Sequence, residues 1–263
     1  MIHSMQWAII KKDLKVISSD KLILSSLFIV PAFLAGILPA IMLLAFTSSS
    51  DAMHDMQALI NILPGAAQAD NISVFMVSYL INFMMPSFFL MIPLLVSMVF
   101  AASSFVGEKE KRTLETLLYC PLPLVKIFQA KILASFFLGM AAAVVSFIVM
   151  FLVVGIISTI TLGTTILPGL SWLVIMLMLT PAIAIIAITL VVRSSAKAQS
   201  VEEAQNRSVI LIIPLIAILI AQFSGVISLN IWILLGAGVV FAVIAFVLLS
   251  GALSKFTYEK LLK

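Results

Sequence analysis

Six long runs of apolar residues divide the chain: about Leu22–Phe46, Val74–Phe105, Ile132–Ile157, Leu170–Val192, Ser208–Val226 and Ile231–Leu253. None contains Asp, Glu, Lys, Arg or His. A helix needs roughly 20 apolar residues to cross a hydrocarbon layer about 30 Å thick, and each run is close to that length or longer. Lipid offers the backbone no hydrogen-bond partner, so spanning segments are helices or closed barrels. Barrel strands alternate over about ten residues, whereas these runs are uniformly apolar. The pattern predicts an all-α, polytopic membrane protein with six transmembrane helices forming one transmembrane domain over residues 1–263.

Two runs have internal features. The second is 32 residues long and carries Pro86 and Pro93. Proline removes a donor and crowds the preceding turn, which predicts a kinked or partly broken helix there. Pro31, Pro39, Pro181 and Pro214 predict milder bends. The first run exceeds the 7–15 residues of a signal-peptide core and reads as a retained anchor.

Charge fixes the expected orientation. All 15 basic residues fall before the first run, between runs two and three, between runs four and five, or after run six. The opposite loops contain only Asp51, Asp55 and Asp70 as charged residues. By the positive-inside rule both termini are cytoplasmic, as an even span count also requires. The composition agrees: 63% hydrophobic and 10% charged, far from the roughly 25% charged of soluble domains. The net charge of +4 is therefore a topological signal, and no nucleic-acid partner is expected. One cysteine, Cys120, allows no internal disulfide. The expected location is the cytoplasmic cell membrane.

Three segments carry candidate function. In residues 1–21, Trp7, Ile10, Leu14 and Ile17 share one face of a 100°-per-residue wheel, with Lys11 and Lys15 beside it. This fits an interfacial helix along the inner leaflet. Residues 107–122 read Gly-Glu-Lys-Glu-Lys-Arg-Thr-Leu-Glu-Thr-Leu-Leu-Tyr-Cys-Pro-Leu. As a helix, this segment sets Glu108 and Arg112 at i,i+4 and puts Leu114, Leu117 and Leu118 on a short apolar face. Pro121 and Pro123 end it. Such a helix suits a groove on a soluble partner, and a solvated surface helix is the plain alternative. The Glu202–Glu203 pair is expected in the first turn of a cytoplasmic helix starting near Ser200.

The stretch Glu108-x-Glu110-x-x-Thr113-x-Glu115-x-Leu117-Leu118-x-x-Pro121, followed by Lys126 and Lys131, resembles the signature of type 2 ATP-binding-cassette (ABC) exporter permeases. Lys197-x-x-x-x-Glu202-Glu203-Ala204-Gln205 is similar to the stretch between spans four and five of efflux-type members. Many members have glycine where this chain has Arg112 and Ala130. The resemblance implies that 107–122 is a coupling helix that engages an ATPase through Glu108, Glu110, Arg112, Thr113, Glu115, Leu117 and Leu118. It also implies two copies of a separate nucleotide-binding subunit carrying ATP and Mg, and a second permease copy or paralogue. The chain has no Gly-x-x-x-x-Gly-Lys-[Ser/Thr] loop, so no cofactor and no ATP hydrolysis are expected on it.

The runs lack the intramembrane charge that ion-driven carriers use as relays. Asn82, Pro86 and Gln222 are the candidate substrate-path positions, although helix-to-helix hydrogen bonding is the commoner role for such amides. The expected function is ATP-driven export of a small or amphipathic substrate. A six-span scaffold or a passive channel is the alternative.

Overall fold

The computed structural model describes residues 4–19, 25, 29–48, 71–110, 123–195, 198–223 and 231–254. Among these the regular elements are all helical. Helix α1 spans Ser4–Ser19; α2 joins a π-helical turn, Ala32–Ile37, to Leu38–Ser48. Helix α3 runs Ile72–Glu110, α4 Leu124–Leu162 and α5 Ser171–Ser195. Three further helices follow: α6 Val201–Ser208, α7 Ile212–Phe223 and α8 Ile231–Ser254.

Four of these, α3, α4, α5 and α8, are long and apolar enough to cross a membrane. Ile29–Ala45 and Ile212–Gln222 are shorter apolar helices. The first and fifth runs thus appear as shorter helices, with residues 26–28 and 224–230 outside the described set. Conversely, α4 is 39 residues long. At 1.5 Å per residue that is about 58 Å, well beyond the hydrocarbon layer.

The centre of the bundle is α3 against α4 and α5. Phe89, Phe100, Ile92, Leu94, Trp172 and Ile175 are fully buried there, and Phe89 meets Trp172 edge-on at 5.3 Å between centroids. Gly139 of α4 faces Ser97 of α3 so closely that a Cβ at residue 139 would overlap the serine oxygen. The small-residue position therefore serves helix contact within the chain. Helices α4 and α8 turn broad apolar faces outward, including Val145, Leu152, Trp232 and Phe246. In water such faces would be a liability; against lipid they cost nothing.

The proline-rich second run does not break. It is one helix with a π-helical turn at Leu80–Met84, ending two residues before Pro86. The same arrangement recurs at Ala32–Ile37 before Pro39 and at Ile175–Leu179 before Pro181. In each case the residue preceding the proline donates to the carbonyl five back: Leu38 to Phe33, Met85 to Leu80, Thr180 to Ile175. The wider turn gives the proline ring room that a regular α-turn would deny it.

Candidate functional site: two polar clusters at opposite ends of helix α3

The C-terminal end of α3 carries the richer cluster. Glu108 is almost fully buried two residues before the described end of α3. One carboxylate oxygen accepts from Lys12 Nζ of α1 at 2.8 Å, and the other lies 3.2 Å from Lys131 Nζ of α4. Lys131 is 3% exposed and also lies 3.7 Å from Asp13 Oδ2. It donates to the Ser104 carbonyl and sits 5.7 Å from the Phe105 ring centroid. Ser104 Oγ in turn donates to Asp13 at 2.6 Å. Three helices thus share one charged knot with two acids and two bases.

Burial pushes the Lys12 ammonium toward its neutral form, but the hydrogen bond and charge of Glu108, aided by Asp13, outweigh that and raise its pKa above 10.5. Lys12 therefore stays charged at physiological pH. Its share of the contact is complete below 10.5 and disappears only as pH climbs through the raised value.

An apolar patch fixes α1 beside this knot. Ile9 and Ile10 pack on Ile127, Ala130 and Ala134 of α4, and Gln6 Nε2 donates to the Lys126 carbonyl at 3.2 Å. The face turned to the protein is Gln6, Ile9, Ile10 and Asp13. On a 100° wheel it is rotated about 70° from the centre of the Trp7, Ile10, Leu14 and Ile17 face. Ile10 points inward while Trp7 is 56% exposed. The side chains of Leu14 and Ile17 lie outside the described residues.

Glu110 engages the other flank. Its carboxylate accepts from the Val201 backbone N–H at 3.2 Å, and Lys109 Nζ donates to the Ala198 carbonyl at 3.1 Å. Helix α6 starts where the sequence predicts. Ser200 caps it by accepting from Glu203 N–H, while Glu203 accepts from the Gln199 N–H at 2.8 Å. Glu108 and Glu110 of the signature thus grip neighbouring parts of the same chain. Arg112, Thr113, Glu115, Leu117 and Leu118 lie outside the described residues.

The cluster toward the N-terminal end of α3 is neutral. Because Met85 N–H bonds Leu80, the Ile81 carbonyl loses its helical donor, and Trp172 Nε1 of α5 supplies one at 3.3 Å. Gln222 of α7 donates to the Phe83 carbonyl at 2.6 Å and accepts from Ser87 Oγ at 2.7 Å. Asn82 accepts from Gly169 N–H at 2.7 Å, tying the α4–α5 connection to α3. Pro86 is buried beside them. Asn82 and Gln222 are engaged in tying segments of the bundle together. A separate apolar crevice lies between α3, α5, α7 and α8, lined by Leu94, Ile186, Leu215, Ile218 and Phe241.

Asp13 and Lys131 escaped the sequence reading as a site. The signal was present: Asp13 falls at i+3 from Ile10 and i+4 from Ile9, so an acid occupies the apolar face of α1. A buried carboxylate there requires a cation, and Lys131 at the edge of an apolar run is the natural donor.

No curated protein and no solved structure matches the chain. Residues 20–201, more than two thirds of the sequence, match the ABC-2 family transporter protein family, which covers α2 to the first residue of α6 and so includes Glu108, Glu110 and Lys131. The chain is a member of the ABC-2 transporter family, a multi-pass membrane component that works with a separate ATP-binding subunit.

Proposed function

We propose that the chain is the permease subunit of an ATP-driven exporter in the cytoplasmic membrane, moving a small or amphipathic substrate outward. In this reading all six apolar runs span the bilayer and both termini are cytoplasmic. Two ATPase subunits drive the cycle, and the path forms with a second permease copy or a paralogue. The segment 107–122 meets the ATPase. Glu108 and Glu110 anchor its root, and Arg112, Thr113, Glu115, Leu117 and Leu118 are the proposed coupling residues beyond it. The single observation that carries the reading is the family match over 20–201, which includes this segment.

Two further features support it. Lys12, Lys109 and Lys131 meet at one end of α3, the pattern expected of a cytoplasmic face. The α3, α4, α5 and α8 interiors have neutral polar ties and no described ionic contact across them, which suits a path for uncharged or amphipathic molecules driven from outside the bilayer.

The test is reconstitution of the full chain with the phosphate-loop protein that copurifies with it. ATP-dependent, vanadate-sensitive flux of an amphipathic dye across vesicles is the expected result. A stable complex without nucleotide-dependent movement would favour the scaffold. Flux that ignores ATP would indicate a passive channel.

A further inference from the structure

Lys131 is nearly inaccessible, yet it lies within reach of two carboxylates that belong to different helices. Asp13 comes from α1, and Glu108 from the last turn of α3, the helix that leads directly into residues 111–122. An ammonium group has three donors and no acceptor. Here it faces the Ser104 carbonyl, Glu108 and Asp13, with the Phe105 ring close by. Ser104 closes the ring of contacts by bonding Asp13.

Without Lys131, two buried acids would face each other across the α1–α3 contact with one half-exposed cation, Lys12, between them. Like charges at that separation in a partly dry site repel strongly. The Ile9–Ile10 patch and the Gln6–Lys126 bond hold α1 to α4. The link from α1 to the root of the 107–122 segment runs through Lys12, the Ser104–Asp13 bond and Lys131, and Lys131 alone lies against both acids.

We propose that Lys131 is a positioning residue that fastens α1 to the root of the ATPase-facing segment, so that α1 and that root move as one body when the ATPase closes. This rests on the reading of 107–122 given above. The consequence is specific. A displacement imposed on residues near Glu108 reaches the inner leaflet through α1 as well as reaching the bundle through α3.

The test uses the full chain with its copurified ATPase in lipid nanodiscs. Cys120, the only cysteine, is replaced by serine, and a spin label is placed at Lys11→Cys, an exposed position on α1. In the parent complex, ATP with vanadate shifts the label's spectrum. Lys131→Met is expected to raise label mobility and to reduce that nucleotide-driven shift at least about tenfold, since removing one partner of a buried charge pair leaves the others uncompensated. Lys131→Arg keeps a cation between both carboxylates and is expected to restore the shift. It also stands in if the methionine variant does not fold.

A Lys131→Met complex whose label follows nucleotide as the parent does would overturn the proposal. So would a folded Lys131→Arg variant whose label no longer responds. A parent chain that copurifies with no ATPase would instead fail at the reading of 107–122 and bring the proposal down with it, an outcome visible before any variant is made.

Discussion

The two ends of helix α3 are held by different chemistry. At the C-terminal end Glu108 and Glu110 reach Lys12, Lys131 and the Val201 backbone, so α1, α4 and α6 converge through charge. Toward the N-terminal end Asn82, the Ile81 carbonyl and the Phe83 carbonyl are tied by neutral donors and acceptors from the α4–α5 connection, α5 and α7. Ions are costly within hydrocarbon and tolerable where headgroups and water are near. One neutral tie, Trp172 to the Ile81 carbonyl, replaces a donor that the π-turn takes away. The neutral ties join parts of the apolar bundle; the charged ties connect separate elements to the segment that follows α3.

The contrast makes ordered demands on mutants. Lys131→Met is expected to cause the largest loss, about 3–5 kcal/mol, because it strands two buried carboxylates. Unfolding in a denaturing detergent series measures it, and adding Asp13→Leu should recover part of the loss. A loss no larger than that of a neutral tie would erase the distinction between the ends. Between them, Gly139→Val drives a side chain into Ser97 and should cost about 1–3 kcal/mol in the same assay. Gly155→Ala, with open space around its Cβ position, should be close to neutral by comparison.

Gln222→Leu removes a neutral tie. Interhelical hydrogen bonds within membranes average about 0.6 kcal/mol, with a maximum near 1.7, so its effect should be smaller than either. The smallest effect concerns pH. Lys12 has a raised pKa and keeps its charge below 10.5, so mobility of a label on α1 should not change on its account near neutrality. An increase should begin only above that value. A Lys12-dependent increase near neutral pH would contradict the assignment.

Much of the fold was legible because lipid imposes one rule on every apolar run. The runs became helices, and Ser200 began α6 because a serine followed three residues later by glutamate satisfies the first free N–H groups. Pro86 announced a disturbance but not its form. Whether proline breaks a helix or widens one turn depends on partners such as Trp172 and Gln222, distant in sequence. The site was legible only in part. Spacing paired Glu108 with Arg112 on one helix, since i,i+4 is what a sequence displays. The described partners, Lys12 and Lys131, lie 96 residues before and 23 after it, brought there by packing that no local period encodes. The protein-facing side of α1 was not legible for the same reason: Asp13 looks polar until a buried lysine is set opposite it.

The central claim is that the C-terminal end of α3 carries the drive from a separate ATPase. Its most direct measurement is the vanadate-sensitive ATP hydrolysis of the copurified complex, comparing the parent chain with Glu108→Ala combined with Leu117→Asp. Loss of the chain's stimulation of hydrolysis, with the helical fold and the neutral ties intact, is the predicted result. Unchanged assembly and unchanged stimulation would contradict it.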